Sequence, residues 1–122
     1  MTQIVGEFAE FPWVDLRVRS KIDERVVRFL VDTGFNCELA IPLSFRSWFG
    51  APDGSCAVKF ASGERQERGL VACQVLLDDE MRTVDAMYID GDSPLLGLEL
   101  LRGFRVTIDV EEGGEVSIEA IE

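Results

Sequence analysis

The chain has 122 residues, which is enough for one hydrophobic core and short for two domains. Hydrophobic residues make up 47% of it and charged residues 29%, the balance of a folded globular protein. Twelve basic residues against 23 acidic ones leave a net charge of −11, which predicts that nucleic acid and anionic membranes are repelled. The longest stretch without a charge, residues 69–77, is too short to cross a bilayer, and the N-terminus lacks the basic start of a secretory signal. We therefore expect a single domain over residues 1–122, located in the cytoplasm.

Histidine is absent from the sequence. This absence excludes Ser-His-Asp and Cys-His catalysis, histidine-ligated zinc and any histidine general base. The cysteines Cys37, Cys56 and Cys73 are an odd number without Cys-x-x-Cys spacing, so they predict reduced thiols and neither a disulfide framework nor a zinc site. Residues 109–122 are acidic without a basic residue among them, and they are predicted to be a solvated surface.

Apolar residues recur with a period of two along most of the chain, which is typical of half-buried strands. Val14, Leu16 and Val18 alternate with charged residues, and a β-branched and aromatic run at residues 26–31 follows the polar turn at residues 20–24. These two segments are predicted to form a hairpin. Further strands are predicted at residues 38–41, 56–60, 65–77, 83–89, 104–110 and 116–121.

Short helices are predicted where a brief apolar run is followed by glycine, which commonly ends a helix. Residues 43–49 before Gly50 and residues 98–102 before Gly103 have this pattern. Residues 90–94, between the last long strand and the second helix, are predicted to be a loop.

The count of elements favours one fold class. About eight or nine short strands with one or two small helices, and no linker or low-complexity segment, predict an all-β fold with a closed or nearly closed β-barrel. A strand, an Asp-containing loop and a short helix occur in residues 29–49 and again in residues 87–104. Two such loops, brought together, could build one site.

Asp32 stands at the end of an apolar run, in Phe29-Leu30-Val31-Asp32-Thr33-Gly34. An unpaired carboxylate at the end of a buried strand costs free energy unless hydrogen-bond donors surround it or it has a chemical task. Gly34 permits a tight turn, and the Thr33 hydroxyl can satisfy the backbone of that turn. Taken alone, the triplet fits a turn capped by Asp32 as well as it fits a catalytic site.

A second element, Pro-Leu-Leu-Gly-Leu-Glu-Leu-Leu at residues 94–101, follows later in the chain. With it, the sequence resembles the retropepsin-like aspartic proteases, the single-lobe clan that includes the retroviral proteases and many bacterial homologues. The resemblance consists of the apolar run into Asp32-Thr33-Gly34, the hydrophobic pair and glycine at Leu95-Leu96-Gly97, the strand after it, and a middle hairpin around Ala61-Ser62-Gly63. These elements occur in the family's order over most of the chain.

The resemblance implies the closed barrel of the retropepsin type and an aspartic endopeptidase that needs no cofactor and no metal. One Asp-Thr-Gly per chain implies a homodimer in which each subunit contributes Asp32 as the catalytic residue. Thr33, Gly34, Leu96 and Gly97 would form the active-site scaffold, with Gly97 allowing the second loop to pack beneath Asp32. Ala61, Ser62 and Gly63 would form the tip of a flap that folds over a peptide or protein substrate held in extended conformation; the same hairpin could instead be an edge turn.

The chain also departs from the retroviral pattern. Many retroviral enzymes carry an acid shortly after the triplet and an arginine after the hydrophobic-hydrophobic-glycine loop, and Asn36 and Leu98 stand at these places. Because both charges are absent together, no buried charge is stranded, but the dimer must be held by other contacts. Cys37 is predicted to be a small apolar filler beside the site.

Some residues and segments keep two interpretations. Phe35, Ile41 and Leu95 could line side-chain pockets or belong to the core. The terminal segments, residues 2–8 and 116–121, have strand-like alternation and could interleave between subunits as a shared sheet. For the whole chain, the alternatives to an enzyme are a non-catalytic peptide-binding or dimerisation module on the same fold and a plain structural barrel.

Overall fold

The structure, a computed structural model, describes residues 3–122. Within these residues the chain forms ten strands, a 3-10 turn and two short α-helices. The strands are β1 (Gln3–Ala9), β2 (Phe11–Arg19), β3 (Glu24–Asp32), β4 (Leu39–Pro42), β5 (Gly54–Lys59), β6 (Arg65–Leu77), β7 (Glu80–Ile89), β8 (Leu95–Gly97), β9 (Phe104–Ile108) and β10 (Glu115–Ala120). The 3-10 turn Leu43–Phe45 leads into α1 (Arg46–Phe49), and α2 (Leu98–Leu101) follows β8 directly.

The period of two determines which side chains enter the core. Val14, Leu16 and Val18 of β2 are buried, whereas the charged residues between them face solvent. The predicted hairpin is confirmed, since β2 and β3 pair antiparallel along their length. Alternation of this kind buries one face of each strand and leaves the other face exposed to solvent.

Six of the described strands close into a barrel, which confirms the predicted fold class. The pairing order is β6-β7-β4-β8-β3-β2, and β2 pairs back with β6 through Val18 opposite Val75 and Arg19 opposite Gln74. β5 extends the sheet beyond β6, and β1, β10 and β9 extend it beyond β2. Phe29, Leu39, Ile41 and Leu96 are fully buried inside. Ile41 therefore belongs to the core and lines no pocket.

β8 is a strand that the sequence did not predict. It has three residues, pairs parallel with β3 on one side and antiparallel with β4 on the other, and leads straight into α2. Its side chains are apolar and mostly buried, so it lacks the alternation that identifies the other strands. A strand this short is defined by its long-range partners and not by its own pattern.

The terminal strands pair with each other within the single chain. β1 turns back onto β2 at Glu10, which has φ 64, and its other edge pairs antiparallel with β10 from Gln3 opposite Glu119 to Glu7 opposite Glu115. β10 pairs with β9 on its far edge. The neighbouring β-strand edges are thus already occupied in a single copy. Residue 2, part of the predicted terminal segment, lies outside the described residues.

No helix within residues 3–122 is both long enough and apolar enough to span a membrane.

Candidate active site

Asp32 is the last residue of β3, where the parallel pairing with β8 ends. In this pairing Leu30 lies opposite Leu95, Val31 opposite Leu96 and Asp32 opposite Gly97. The two segments that the sequence singled out are therefore brought together, with the carboxylate at the end of β3, beside the mostly buried β8.

Gly97 allows the loop after Asp32 to cross directly over β8. A Cβ atom at Gly97 would lie 2.0 Å from the Cys37 carbonyl oxygen and 2.6 Å from the Phe35 ring. Two backbone hydrogen bonds fix the crossing: the Gly97 N–H donates to the Glu38 carbonyl at 2.8 Å, and the Leu98 N–H donates to the Phe35 carbonyl at 2.7 Å. The predicted close approach of the two loops is present, and the segment that approaches is residues 35–38.

The Asp32 carboxylate is only half-buried. Its Oδ1 accepts the Gly34 N–H at 2.9 Å, and its backbone carbonyl accepts the Phe35 N–H at 3.2 Å. Within residues 3–122 the carboxylate makes no ion pair. Thr33 and Gly34 are exposed. The Asp-Thr-Gly turn therefore holds a carboxylate at the surface without a cation to neutralise it.

Two uncharged residues, the polar Asn36 and the apolar Leu98, lie on the surface beside this turn. Asn36 and Leu98 are both exposed, and the Leu98 side chain keeps 42% of its area accessible. An exposed leucine beside a surface loop is unremarkable alone, but here it adjoins the same turn as Asp32.

The predicted flap is the β5–β6 hairpin. Its strands pair from Gly54 opposite Leu70 to Lys59 opposite Arg65. At the tip the Phe60 N–H donates to Glu64 and the Gly63 N–H donates to Phe60, with Gly63 at φ 89. Ala61, Ser62 and Gly63 are all exposed, so the tip projects from the sheet.

Two solved structures are similar to this arrangement of strands. A retropepsin-like aspartic protease from Rickettsia conorii superposes with a TM-score of 0.57, covering 99% of this chain and 98% of its own at 16% sequence identity. The chain has the retropepsin-like fold. The EIAV protease in complex with the inhibitor HBY-793 superposes with a TM-score of 0.52, covering 72% of this chain and 84% of its own at 12% identity. The sequence matches no family model and no curated protein.

On the retropepsin-like fold, the predicted scaffold residues gather at one end of β3 and β8. Thr33 and Gly34 form the turn after Asp32, Leu96 is fully buried beneath it, and Gly97 is its register partner. The hairpin tip with Ala61, Ser62 and Gly63 belongs to a different edge of the sheet.

Two polar residues that the sequence analysis did not single out join separate segments, Glu38 beside the Asp32 loop and Arg68 at the β5–β6 hairpin. The Glu38 carboxylate accepts the backbone N–H of Asp85 on β7 at 3.1 Å, and its backbone carbonyl accepts Gly97 N–H. Arg68 on β6 makes an ion pair with Asp90 at 3.2 Å and donates to Gln66 at 2.8 Å. Apart from Gln66, their partners lie more than 20 residues away along the chain, so no local pattern could have revealed these roles.

The prediction that Cys37 is a filler was wrong, because Cys37 is exposed on the loop that crosses Gly97. Partial burial raises the pKa of its thiol, and the neighbouring Cys56, Glu38 and Glu99 raise it further. Cys73 is buried, and burial raises the pKa of its thiol to about 12. Both shifts favour the neutral thiol, which is the unreactive form.

The described part of the chain offers no set of side chains that could bind a metal ion. Residues 3–122 contain no cluster of three or more cysteine, aspartate or glutamate side chains able to hold an ion.

Proposed function

We propose that the chain is one subunit of a homodimeric aspartic endopeptidase of the cytoplasm, with residues 1–122 acting as one retropepsin-like domain. The observation that carries the proposal is the Asp32 carboxylate, held by the Gly34 N–H at the end of β3, opposite Gly97 and without an ion-pair partner among residues 3–122. A carboxylate that is fixed by a backbone hydrogen bond and reachable from solvent is placed to exchange a proton with a bound water.

A second copy is needed because one chain supplies one such carboxylate. Thr33, Gly34, Asn36 and Leu98 leave an exposed surface around Asp32 on which a copy related by a twofold axis can pack. In that arrangement the two Asp32 side chains meet on the axis, and each Thr33 hydroxyl holds the opposing turn in register.

Two carboxylates about 3 Å apart cannot both be ionised cheaply, so the pair shares one proton, a principle for which the aspartic proteases are themselves the standard example. The ionised Asp32 takes a proton from a bound water as the water oxygen attacks the peptide carbonyl carbon. The protonated Asp32 of the other copy donates to the carbonyl oxygen and stabilises the tetrahedral intermediate. Proton transfer to the amide nitrogen then releases the amine, and no covalent enzyme intermediate forms.

The position of the β5–β6 hairpin favours a peptide substrate that binds in extended conformation. It lies at the free end of the sheet, and its tip is exposed on both sides of Gly63. A substrate strand can therefore pair with backbone groups of a sheet edge while its side chains alternate between the two faces.

The direct test is cleavage of a peptide library followed by mass spectrometry, with Asp32→Asn as the variant. Asparagine is nearly isosteric and keeps the acceptor for the Gly34 N–H, but it takes no proton from water. We expect wild-type protein to cut internal peptide bonds and Asp32→Asn to lose activity by several orders of magnitude, since both copies change at once.

A matched control is Asp15→Asn, which changes an exposed carboxylate on the outer face of β2. It should cleave as the wild type does. Cleavage by Asp32→Asn at a tenth of the wild-type rate would overturn the mechanism. Saturable peptide binding by the wild type without any cleavage would favour a binding module on the same fold.

A further inference from the structure

A cavity of about 560 Å³ lies on the outside of the barrel, away from Asp32. Its floor is the outer face of β3 and its wall is the 3-10 turn with α1. The residues that matter here are Trp13, Val26, Arg28, Phe45, Trp48 and Pro94. Its volume falls within the range of small-molecule sites in proteins, which is about 300–1,000 Å³.

Both tryptophans of the chain line this cavity, and the guanidinium group of an arginine lies over the ring of each. The Arg28 guanidinium carbon lies 4.7 Å from the Trp13 ring centroid, and the Arg25 guanidinium carbon lies 4.7 Å from that of Trp48. A guanidinium at this distance over an aromatic face makes a favourable cation–π contact, which restrains the side chain.

The two arginines differ in their partners. Arg25 makes an ion pair with Asp23 at 3.1 Å, and the same carboxylate oxygen accepts the Trp48 indole N–H at 2.6 Å. Arg28 makes no ion pair within the described part of the chain, although Asp15 is its register partner on β2. Its guanidinium donors therefore lie beside Trp13 without an ion-pair partner in residues 3–122, and can receive an incoming acceptor.

The remaining lining favours an apolar body on the ligand. Val26 is 61% exposed, Phe45 is partly exposed, and the largely buried Trp48 and Pro94 complete the apolar lining. Exposed apolar area that is concave and rimmed by polar groups is the usual form of a binding site. Asp92 contributes one negative charge to the rim, so two negative groups on a ligand would be disfavoured.

We propose that this cavity binds a small aromatic monocarboxylate. The carboxylate forms a bidentate pair with the Arg28 guanidinium, which offers two parallel N–H donors in the geometry that carboxylates prefer. The ring lies against Val26 and Phe45, at the edge of Trp48. The proposal uses no residue of the Asp32 site, so it holds or fails independently of the proposed peptidase activity.

The position of the cavity links it to both strands of that site. Val26 and Arg28 precede Asp32 on β3, and Pro94 precedes β8. The Pro94 carbonyl accepts the Leu30 N–H at 2.9 Å, which joins the two segments at the edge of the cavity. A ligand in the cavity therefore contacts β3 upstream of Asp32 and the residue that precedes β8.

The test uses naphthylacetate as the probe and naphthylacetamide as its uncharged counterpart. Binding is measured by isothermal titration calorimetry and located by the NMR signals of the two indole N–H groups, both of which belong to tryptophans of the cavity. We expect saturable binding of the acid, shifts of both indole signals, and binding of the amide weaker by about tenfold or more.

Two variants at the cavity should act in opposite directions. Arg28→Gln should lower the affinity for naphthylacetate to that for naphthylacetamide. Asp92→Asn should raise the affinity for naphthylacetate, because it removes a like charge. Arg17→Gln is the control, because Arg17 is ion-paired with Glu24 at 3.1 Å and lies outside the cavity. Equal binding of acid and amide, shifts of neither indole, or an Asp92→Asn variant that binds the acid less tightly would each overturn the proposal.

Discussion

Asp32 and Gly97 are register partners across the parallel pairing of β3 and β8, and the absence of a side chain at Gly97 sets where the loop after Asp32 can go. The Cys37 carbonyl oxygen occupies the place where a Cβ of residue 97 would be. The orientation of the candidate catalytic turn thus depends on a residue that is distant in sequence and carries no chemistry of its own.

Gly97→Val should destabilise the protein more than Gly63→Ala. The valine side chain would collide with backbone at Cys37, and overpacking of this kind costs about 1–3 kcal/mol or more. Gly63 has open space around its Cβ position, so alanine meets only the strain of φ 89, about 1 kcal/mol. Thermal melts of the two variants check the order. A lower melting temperature for Gly63→Ala would mean that the two loops pack differently.

The proposed dimer should depend on Leu98. Sedimentation of the wild type at micromolar concentration is expected to show a dimer that tightens as salt is added, because each chain carries a net charge of −11. Leu98→Asp places a charge beside the Asp32 turn and should shift the protein to monomer.

Val110→Asp is the matched control for that variant. Val110 is 75% exposed and follows β9, so the same substitution there adds the same charge without touching the turn. It should leave the dissociation constant within about threefold of the wild type, the size of an ordinary surface effect. Equal weakening by both variants would show that net charge and not the Leu98 surface governs assembly.

Arg68 should restrain the β5–β6 hairpin. It makes an ion pair with Asp90 and donates to Gln66, which in turn donates to Glu64 near the tip. Arg68→Met should speed backbone amide exchange at the hairpin by several-fold, as expected for the loss of a small network worth about 1 kcal/mol.

Hydrogen exchange measured by mass spectrometry reports this effect without a substrate. Arg65→Met is the control, since Arg65 belongs to the same strand but makes no ion pair within residues 3–122. If both variants exchange alike, the restraint does not come from Arg68.

The buried Cys73 should make stability fall in alkaline solution. Its pKa is raised by burial from 9.0 to about 12, so the folded protein keeps a proton that the unfolded chain releases. This contribution is complete below pH 9.0 and is lost as the pH rises towards 12, at about 1.4 kcal/mol per pH unit. Denaturant unfolding of wild type and Cys73→Ala across this range measures it. Parallel curves for the two proteins would contradict the assignment.

The sequence predicted elements whose pattern is local and missed those defined by distant partners. β6 has the predicted bounds, residues 65–77, because its alternation is long and its turn residues are polar. β7 begins at Glu80 and not at residue 83, since Asp78 and Asp79 adopt positive φ and make the turn tighter than expected. β8 has no pattern of its own and exists only between β3 and β4.

For the candidate site, residue types were more informative than local surroundings. The approach of Asp32 and Gly97 was predicted because glycine has a steric reason to stand where backbones cross. The exposure of Cys37 and the hydrogen bond from the Asp85 N–H to the Glu38 carboxylate were not predicted, since both depend on how the loop crosses β8. The cavity beside Trp13 and Trp48 was not predicted, because its lining residues come from segments that are distant in the sequence and adjacent only in the folded chain.

Because β1 pairs with β10, this part of the sheet can form only after both strands have been synthesised. On the ribosome β1 is the first described strand to emerge, and β10 is the last. β1 and β10 are held together by five register pairs, and the turn after β9 adds bonds between Phe8 and residues 113–114. Contacts of such long sequence separation form slowly. A nascent chain therefore carries an open β1 edge until β10 has been released, and loss of β10 would expose that edge again.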